Sequence, residues 1–315
     1  MDECFKKIGV IGKYQDPRVS DEMRKLCQFL TSKERDVFID NVTAENVSDM
    51  GYAVLSRHEL GECVDLCIVV GGDGTLLNAA RGLSNYDIPL LGYNLGRLGF
   101  LTDISPETMQ LQLDKILAGE YFEEPRGLLH TSIFRQAEMI NQSCAFNDVV
   151  VHKWNGARML EYETYIDGQF INSSRSDGLI VSTPTGSTGY ALSGGGPILH
   201  PSLHAIVLVP ICPHTMTFRP IVVYADSEVE IIVKDCNQSE AQVTCDGQIN
   251  LGLQSEDKIV IRRHKHLIRL IHPKSYDYWI PEVFPKRNSA QPTAHKLSDH
   301  GDNNERWCKE QKGCL

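Results

Sequence analysis

Long hydrophobic runs are what this chain of 315 residues most plainly lacks. No stretch reaches the roughly 20 apolar residues that cross a bilayer as a helix, so a helical membrane protein is not expected. The opening residues, Met1-Asp2-Glu3-Cys4-Phe5-Lys6-Lys7, hold neither the apolar centre nor the cleavage site of a secretory signal. Ten cysteines are present but no Cys-x-x-Cys pair. The closest two, Cys63 and Cys67, are not spaced as a zinc knuckle and abut or lie within an apolar strand. Free thiols in a cytoplasmic protein are therefore expected. Positive charge is also in deficit: 31 Lys and Arg against 41 Asp and Glu leave a net charge of −10. That argues against non-specific binding of DNA or RNA, which depends on neutralising many phosphates. Recognition of a single nucleotide stays open, because a small ligand needs only local complementarity.

What is present divides by pattern. Up to about residue 105, strand and helix signals alternate. Residues 7–11, 37–39, 66–70 and 89–92 read as strands. Ser20 reads as the cap of a helix with Asp21 and Glu22 in its first turn and one apolar face formed by Met23, Leu26, Cys27 and Leu30. Such alternation implies a mostly parallel sheet covered by helices. Gly9-Val10-Ile11-Gly12 is not Gly-x-Gly-x-x-Gly and is not assigned as a dinucleotide turn. From about residue 124 short strands and tight turns take over: 146–151, 160–166, 178–182, 205–209, 228–233, 242–245, 258–262 and 266–271. Asp167-Gly168 marks a hairpin. The expected architecture is an α/β N-terminal domain (1–123) with a mostly parallel sheet, then a largely β C-terminal domain (124–272). Residues 273–284 are expected to pack back on the first domain, and the polar tail 285–315 to lack fixed structure.

Residues 68–75, Ile-Val-Val-Gly-Gly-Asp-Gly-Thr, carry the strongest functional signal. A buried strand ends at two glycines, presents Asp73, and enters a helical segment. Glycine has no Cβ, so its backbone can lie against a phosphate or sugar. Ligands of open α/β sheets bind at the carboxyl ends of the strands, which is where Asp73 stands. A plain Asp-Gly turn is the alternative. Asn94-Leu95-Gly96-Arg97-Leu98-Gly99-Phe100-Leu101 brings two more glycines to the same edge. The run 175–197, RSDGLIVSTPTGSTGYALSGGGP, ends a strand in a loop of hydroxyls and glycines with one aromatic, Tyr190. Hydroxyls and free backbone N–H groups bind phosphate, ribose or base edges, and Tyr190 is placed to pack on a base.

Taken together, the Gly71 to Thr75 motif, residues 94–101, Asn147-Asp148, residues 175–197 and Asp246-Gly247-Gln248 resemble the NAD kinase family in order and spacing, over about residues 5–280. The glycine motif alone is shared with diacylglycerol-type lipid kinases and is similar to one of phosphofructokinases; the 183–190 run is more specific. The resemblance implies an active site between two domains and transfer of the terminal phosphoryl group of ATP, with a divalent metal, to the adenosine-ribose 2′-hydroxyl of NAD. It implies Asp73 as general base with Gly74 beside the substrate. It assigns Asn147 and Asp148 to the adenosine part of NAD, and Asp177, Thr185, Thr188, Gly189, Tyr190, Ala191 and Ser193 to the loop that holds the dinucleotide. Arg158 and Arg175 are implied as cationic contacts, and Gln248 as a polar contact from a late hairpin. Some of these are expected to reach a neighbouring subunit of a homodimer or homotetramer.

Two residues depart from the family pattern: Asp148 replaces the commoner Glu, and Gly189 the commoner Ala. Both preserve the functional groups. Polyphosphate users tend to have Gly at the place of Arg175, which favours ATP. No His, Asp or Glu cluster has the spacing of a dedicated metal cage, so no protein metal ligand is assigned, and Mg²⁺ is expected to arrive with ATP. Two rivals stay open: a lipid kinase, which would need an acyl pocket, and a dinucleotide-binding regulator without catalysis.

Overall fold

A computed structural model describes residues 4–12, 17–45, 51–96, 99–154, 159–214, 218–235 and 241–274. In chain order the first part comprises β1 (Lys7–Gly12), α1 (Pro17–Ser32), β2 (Asp36–Asp40), α2 (Asn41–Ala44), β3 (Ala53–Leu55), α3 (Arg57–Cys63), β4 (Leu66–Val70), α4 (Asp73–Gly82), β5 (Leu90–Tyr93), α5 (Met109–Leu117) and β6 (Tyr121–Arg126). The second comprises β7 (Leu129–Arg135), β8 (Glu138–Ala145), β9 (Asp148–Lys153), β10 (Leu160–Ile166), β11 (Gln169–Ser176), β12 (Gly178–Ser182), a 3-10 turn (Thr185–Thr188), the short α6 (Tyr190–Ser193), β13 (Ala205–Ile211), β14 (Ile221–Tyr224), β15 (Val229–Asp235), β16 (Ala241–Cys245), β17 (Ile249–Leu253) and β18 (Lys258–Arg263). β19 (Ile268–Pro273) ends the described chain.

The first sheet has seven strands in the order β3-β2-β1-β4-β5-β19-β6. All neighbours are parallel except β6, which runs antiparallel to β19. β4 shows why helices cover both faces. Leu66, Ile68 and Val70 point toward Met23, Leu26 and Leu30 of α1 and Leu113 of α5. Cys67 and Val69 point toward Leu60 of α3 and Leu76 of α4. The C-terminal part is two six-stranded antiparallel sheets, β11-β10-β15-β18-β7-β8 and β14-β13-β12-β9-β16-β17. Tyr162, Val229 and Ile231 of one meet Val149, Val151, Val181 and Val243 of the other in a shared core. The outer face of the second sheet, with Val150, Ile180, Val207 and Val209, is covered by Ala191 and Leu199 from the segment after β12. Among the described residues no helix is long and apolar enough to cross a membrane.

The architecture is the expected one, with differences in detail. α1 begins at Pro17, so Ser20 lies inside the helix and does not cap it. Proline suits a first helical position, because the N–H it lacks would have no partner there. Its expected apolar face is right: Met23, Leu26, Cys27 and Leu30 are all fully buried. The chain returns to the first sheet earlier than expected. Residues 268–272, expected in the second domain, lie in β19 between β5 and β6, and β6 itself spans the expected boundary at 123/124. Long-range pairing decides such membership. β3, β6, β7, β8 and β14 had no clear signal in the sequence, while β11 and β17 were expected only as the return strands of hairpins. β8, for example, is polar and largely exposed (EMINQSCA) and is a strand because it pairs with β7 at a sheet edge. Residues 275–315 lie outside the described residues, and so does the expectation of an unstructured tail.

Candidate active site

The carboxyl end of β4 turns through Gly71 and Gly72 into α4, and Asp73 is the first residue of that helix. Its carboxylate is held by the loop that follows β5. Oδ2 accepts the backbone N–H of Phe100 (2.9 Å); Oδ1 accepts that of Leu101 (3.2 Å) and the hydroxyl of Thr102 (3.4 Å). Gly99 makes this approach possible, since a Cβ there would sit 2.2 Å from Asp73 Oδ1. The 94–101 segment is therefore the partner of Asp73, with residues 97 and 98 outside the described set.

On the C-terminal side, Phe146 reaches into the core that α4 shares with β4, beside Leu76 and Leu77. This anchor puts Asn147 and Asp148 next to α4. The three backbone N–H groups of residues 146–148 all point at one carboxylate, Asp246, in the turn between β16 and β17 (3.0, 2.7 and 3.2 Å). Asp246 also pairs with Arg81 of α4 at 2.5 Å, its own side chain fully buried and that of Arg81 nearly so. Arg81 donates to Gln248 Oε1 (2.5 Å) and Gln248 Nε2 donates to the carbonyl of Gly74 (2.8 Å). Gln248 is thus held to Gly74 of the glycine motif through Nε2 and to Arg81 through Oε1. Arg81 and Asp246 were not singled out as site residues in the sequence. They lie 165 positions apart, and no local pattern pairs them.

Asn147 Oδ1 is buried and accepts no hydrogen bond. Asp148 is buried at the start of β9, and burial, with the nearby charge of Asp246, pushes its pKa up to about 7. The loop after β12 packs directly on this pair. Thr183 Oγ1 donates to the carbonyl of Phe146 (2.7 Å) and accepts from the N–H of Gly186 (3.1 Å). Ser182 and Ser187 hydroxyls donate to the carbonyls of Asn147 and Pro184. A Cβ on Gly186 would lie 2.3 Å from the Asn147 carbonyl oxygen. Much of the hydroxyl content of this loop therefore builds the loop. Thr185 accepts from Arg126 (2.9 Å) and Thr188 donates to the carbonyl of Thr185. Gly189, Tyr190 and Ser193 are exposed, Tyr190 by 49%, while Ala191 is buried against the sheet.

Two expected residues stand apart. Asp177 precedes β12 whereas Thr183 follows it, and five residues at about 3.3 Å each separate the two ends by roughly 17 Å. Asp177 pairs with Lys153 (2.6 Å), and Arg175 with Glu161 (3.4 Å) on an exposed edge strand. Arg158 lies outside the described residues.

Beside the glycine motif a cleft of about 430 Å³ is lined by Gly12, Asp40, Arg57, Gly72, Gly74 and Thr75. Asp40 holds Arg57 there at 2.5 Å. A larger hollow of about 950 Å³ shares Val42, Arg57 and Asn78 with it and extends past Arg81 and Gln248 to His130 and Lys265. Among the described residues no group of three or more His, Cys, Asp or Glu could hold a metal ion.

The chain is similar to known proteins along most of its length. Residues 8–121 match the family model of the ATP-NAD kinase N-terminal domain and residues 146–273 that of the C-terminal domain. A NAD kinase of Chromohalobacter salexigens is 49% identical over 87% of this chain and 94% of its own. One of Nitrosococcus oceani is 48% identical over 89% and 95%. A structure of an NAD kinase from Archaeoglobus fulgidus in complex with ATP has a TM-score of 0.67 at 28% identity, over 85% of this chain and 94% of that one. Yeast NADH kinase complexed with NADH has a TM-score of 0.81 at 23% identity, over 95% and 91%, a likeness of fold alone.

Proposed function

We propose, for a chain that belongs to the NAD kinase family, that it transfers the terminal phosphoryl group of ATP to the adenosine-ribose 2′-hydroxyl of NAD, giving NADP. One observation carries the placement of the site. The helix that begins with Asp73 borders the 430 Å³ cleft and is clamped through Arg81 and Asp246 to Asn147 and Asp148. ATP takes the cleft over Gly72–Thr75, where glycine backbone and the first turn of α4 meet phosphate oxygens and Arg57 adds positive charge. NAD takes the other side. The unpartnered Oδ1 of Asn147 accepts a donor from the adenosine part, the Asp148 carboxyl faces it, and Thr185, Thr188, Gly189, Tyr190, Ala191 and Ser193 border the dinucleotide.

Asp73 is the general base. A carboxylate offers about four acceptor positions, and the loop donors occupy three of them, two on Oδ1 and one on Oδ2. The open position on Oδ2 takes the proton of the ribose hydroxyl as its oxygen bonds to the terminal phosphorus of ATP. The bond from that phosphorus to the bridging oxygen breaks, releasing ADP. The remaining work is alignment and charge neutralisation. A divalent metal, Mg²⁺, supplies part of that neutralisation when bound. Such a metal would be held chiefly by phosphate oxygens and water. The gap between Asp177 and the Thr183 loop supports a homodimer or homotetramer, in which Arg175 and Asp177 serve the dinucleotide of a neighbouring subunit.

The test is purified protein with NAD, ATP and magnesium, with NADP read by an NADP-specific dehydrogenase. Asp73→Asn is expected to bind NAD as wild type does and to lose about 10²–10⁴-fold in turnover. Turnover near wild type in a folded variant removes Asp73 from the base role. NAD binding without any NADP from the wild type points to a regulator, and phosphorylation of a lipid alcohol in place of NAD to a lipid kinase.

A further inference from the structure

Behind the site, a line of polar side chains joins the loop that holds Asp73 to the loop that holds Thr185, and no step of the chemistry above uses it. Asp103 directly follows Thr102, whose hydroxyl and neighbouring backbone grip Asp73. Asp103 Oδ2 contacts His272 Nδ1, and His272 Nε2 lies 3.2 Å from Glu124 Oε2. Glu124 Oε2 accepts from Arg126 (2.7 Å), and Arg126 donates onward to Thr185 Oγ1 (2.9 Å). Asp103 and His272 side chains are each 1% exposed, Arg126 3% and Glu124 15%. The Phe122 ring stacks on the imidazole with centroids 5.0 Å apart. Charged groups buried this way cost desolvation, and apolar replacements of similar volume are often at least as stable. Stability is therefore a weak reason for their presence.

We propose that His272 is a positioning residue: by gripping Asp103 and Glu124 at once, from β19 between β5 and β6, it couples the loop that orients Asp73 to the loop that opens with Thr185. The inference rests on the reading that these two loops flank the reacting groups. A carboxylate lies beside each ring nitrogen, hydrogen-bonded at Nδ1 and in ion-pair contact at Nε2, and two such negative charges favour the charged imidazolium over the neutral ring. Burial alone would lower the pKa of His272, but the carboxylates of Asp103 and Glu124 beside it outweigh that and raise it. Arg126, on β6, brings a second cation to these groups through its pair with Glu124.

A double-mutant cycle on the full chain tests the coupling, with Asp103→Asn and Thr185→Val made singly and together. Turnover number and NAD Michaelis constant are read at saturating ATP, and folding by thermal melting. Asp103→Asn, although it lies at the far end from Thr185, is expected to change kcat/KM for NAD about tenfold or more. The combined loss is expected to fall short of the product of the single losses by about threefold or more, as for coupled residues. Thr185→Ser, which keeps the acceptor oxygen that Arg126 bonds, should retain the full Asp103→Asn effect that Thr185→Val diminishes. Losses that multiply to within about twofold, or a lowered melting temperature with unchanged kcat and KM, overturn the proposal. If Asp103→Asn is too unstable to assay, Glu124→Gln takes its place with the same two outcomes. An inactive wild type would instead refute the NAD kinase reading, so the two failures are distinct.

Discussion

Asp73 and Asp148 are carboxylates in opposite circumstances. Asp73 is partly exposed and surrounded by donors. Asp148 is buried, near a second negative charge, and has its pKa pushed up to about 7. A raised carboxyl pKa opposes folding once the group must ionise. The cost is absent below the ordinary value near 4, grows as pH rises, and is complete above about 7. Asp148→Asn is therefore expected to gain melting temperature relative to wild type at pH 8 and not at pH 4. An equal shift at both pH values would show that Asp148 does not titrate in this range. Tyr190 presents an exposed ring at the rim of the loop. Tyr190→Ala should raise the NAD Michaelis constant more than it lowers turnover; an unchanged constant would place NAD elsewhere. Asp73 and Tyr190 were legible from local chemistry, a strand end and a loop end. Residues 94–101 were expected at the same sheet edge, but which of their groups would bond Asp73 was not legible, because the segment lies about 27 residues on and is brought back by strand pairing.

At the scale of elements, the site is a junction of α4 with the β16–β17 turn and the start of β9. Arg81 sits in the last turn of α4, where a cation is favoured, and its guanidinium carries the link to both Asp246 and Gln248. Arg81→Leu leaves the fully buried Asp246 carboxylate without its cation. The expected cost is about 3–5 kcal/mol of unfolding free energy by urea titration, with a weaker NAD affinity as residues 146–148 loosen. A loss below about 1 kcal/mol would mean that the three backbone donors suffice for Asp246. The strand and turn of 178–190 were readable from β-branched residues and glycines. That Thr183, Ser182 and Ser187 bond within the loop was not readable, since a hydroxyl looks the same in sequence whether it meets a ligand or a carbonyl.

At the scale of the molecule, the chain returns through β19 to the sheet in which it began, so residues near 270 lie beside β5, the neighbour of the strand that leads to Asp73. The roughly 17 Å along β12 between Asp177 and the Thr183 loop makes subunit association the next question. Co-expressed Asp73→Asn and Asp177→Ala chains should recover activity that neither has alone, about a quarter of wild type for random dimers with shared sites. A monomer by light scattering, or no recovery from a mixed oligomer, would confine both residues to one subunit. The sequence by itself determined the class of chain, the two-part architecture and the residues at strand ends, because periodicity and glycine turns act over a few residues. Only the tertiary structure decided which carboxylate meets which donor, that Arg81 finds Asp246, and that Asp103, His272, Glu124, Arg126 and Thr185 fall in line. Most of those contacts join segments well separated in the chain, and they follow from how sheets pair and pack, which no local pattern of residues encodes.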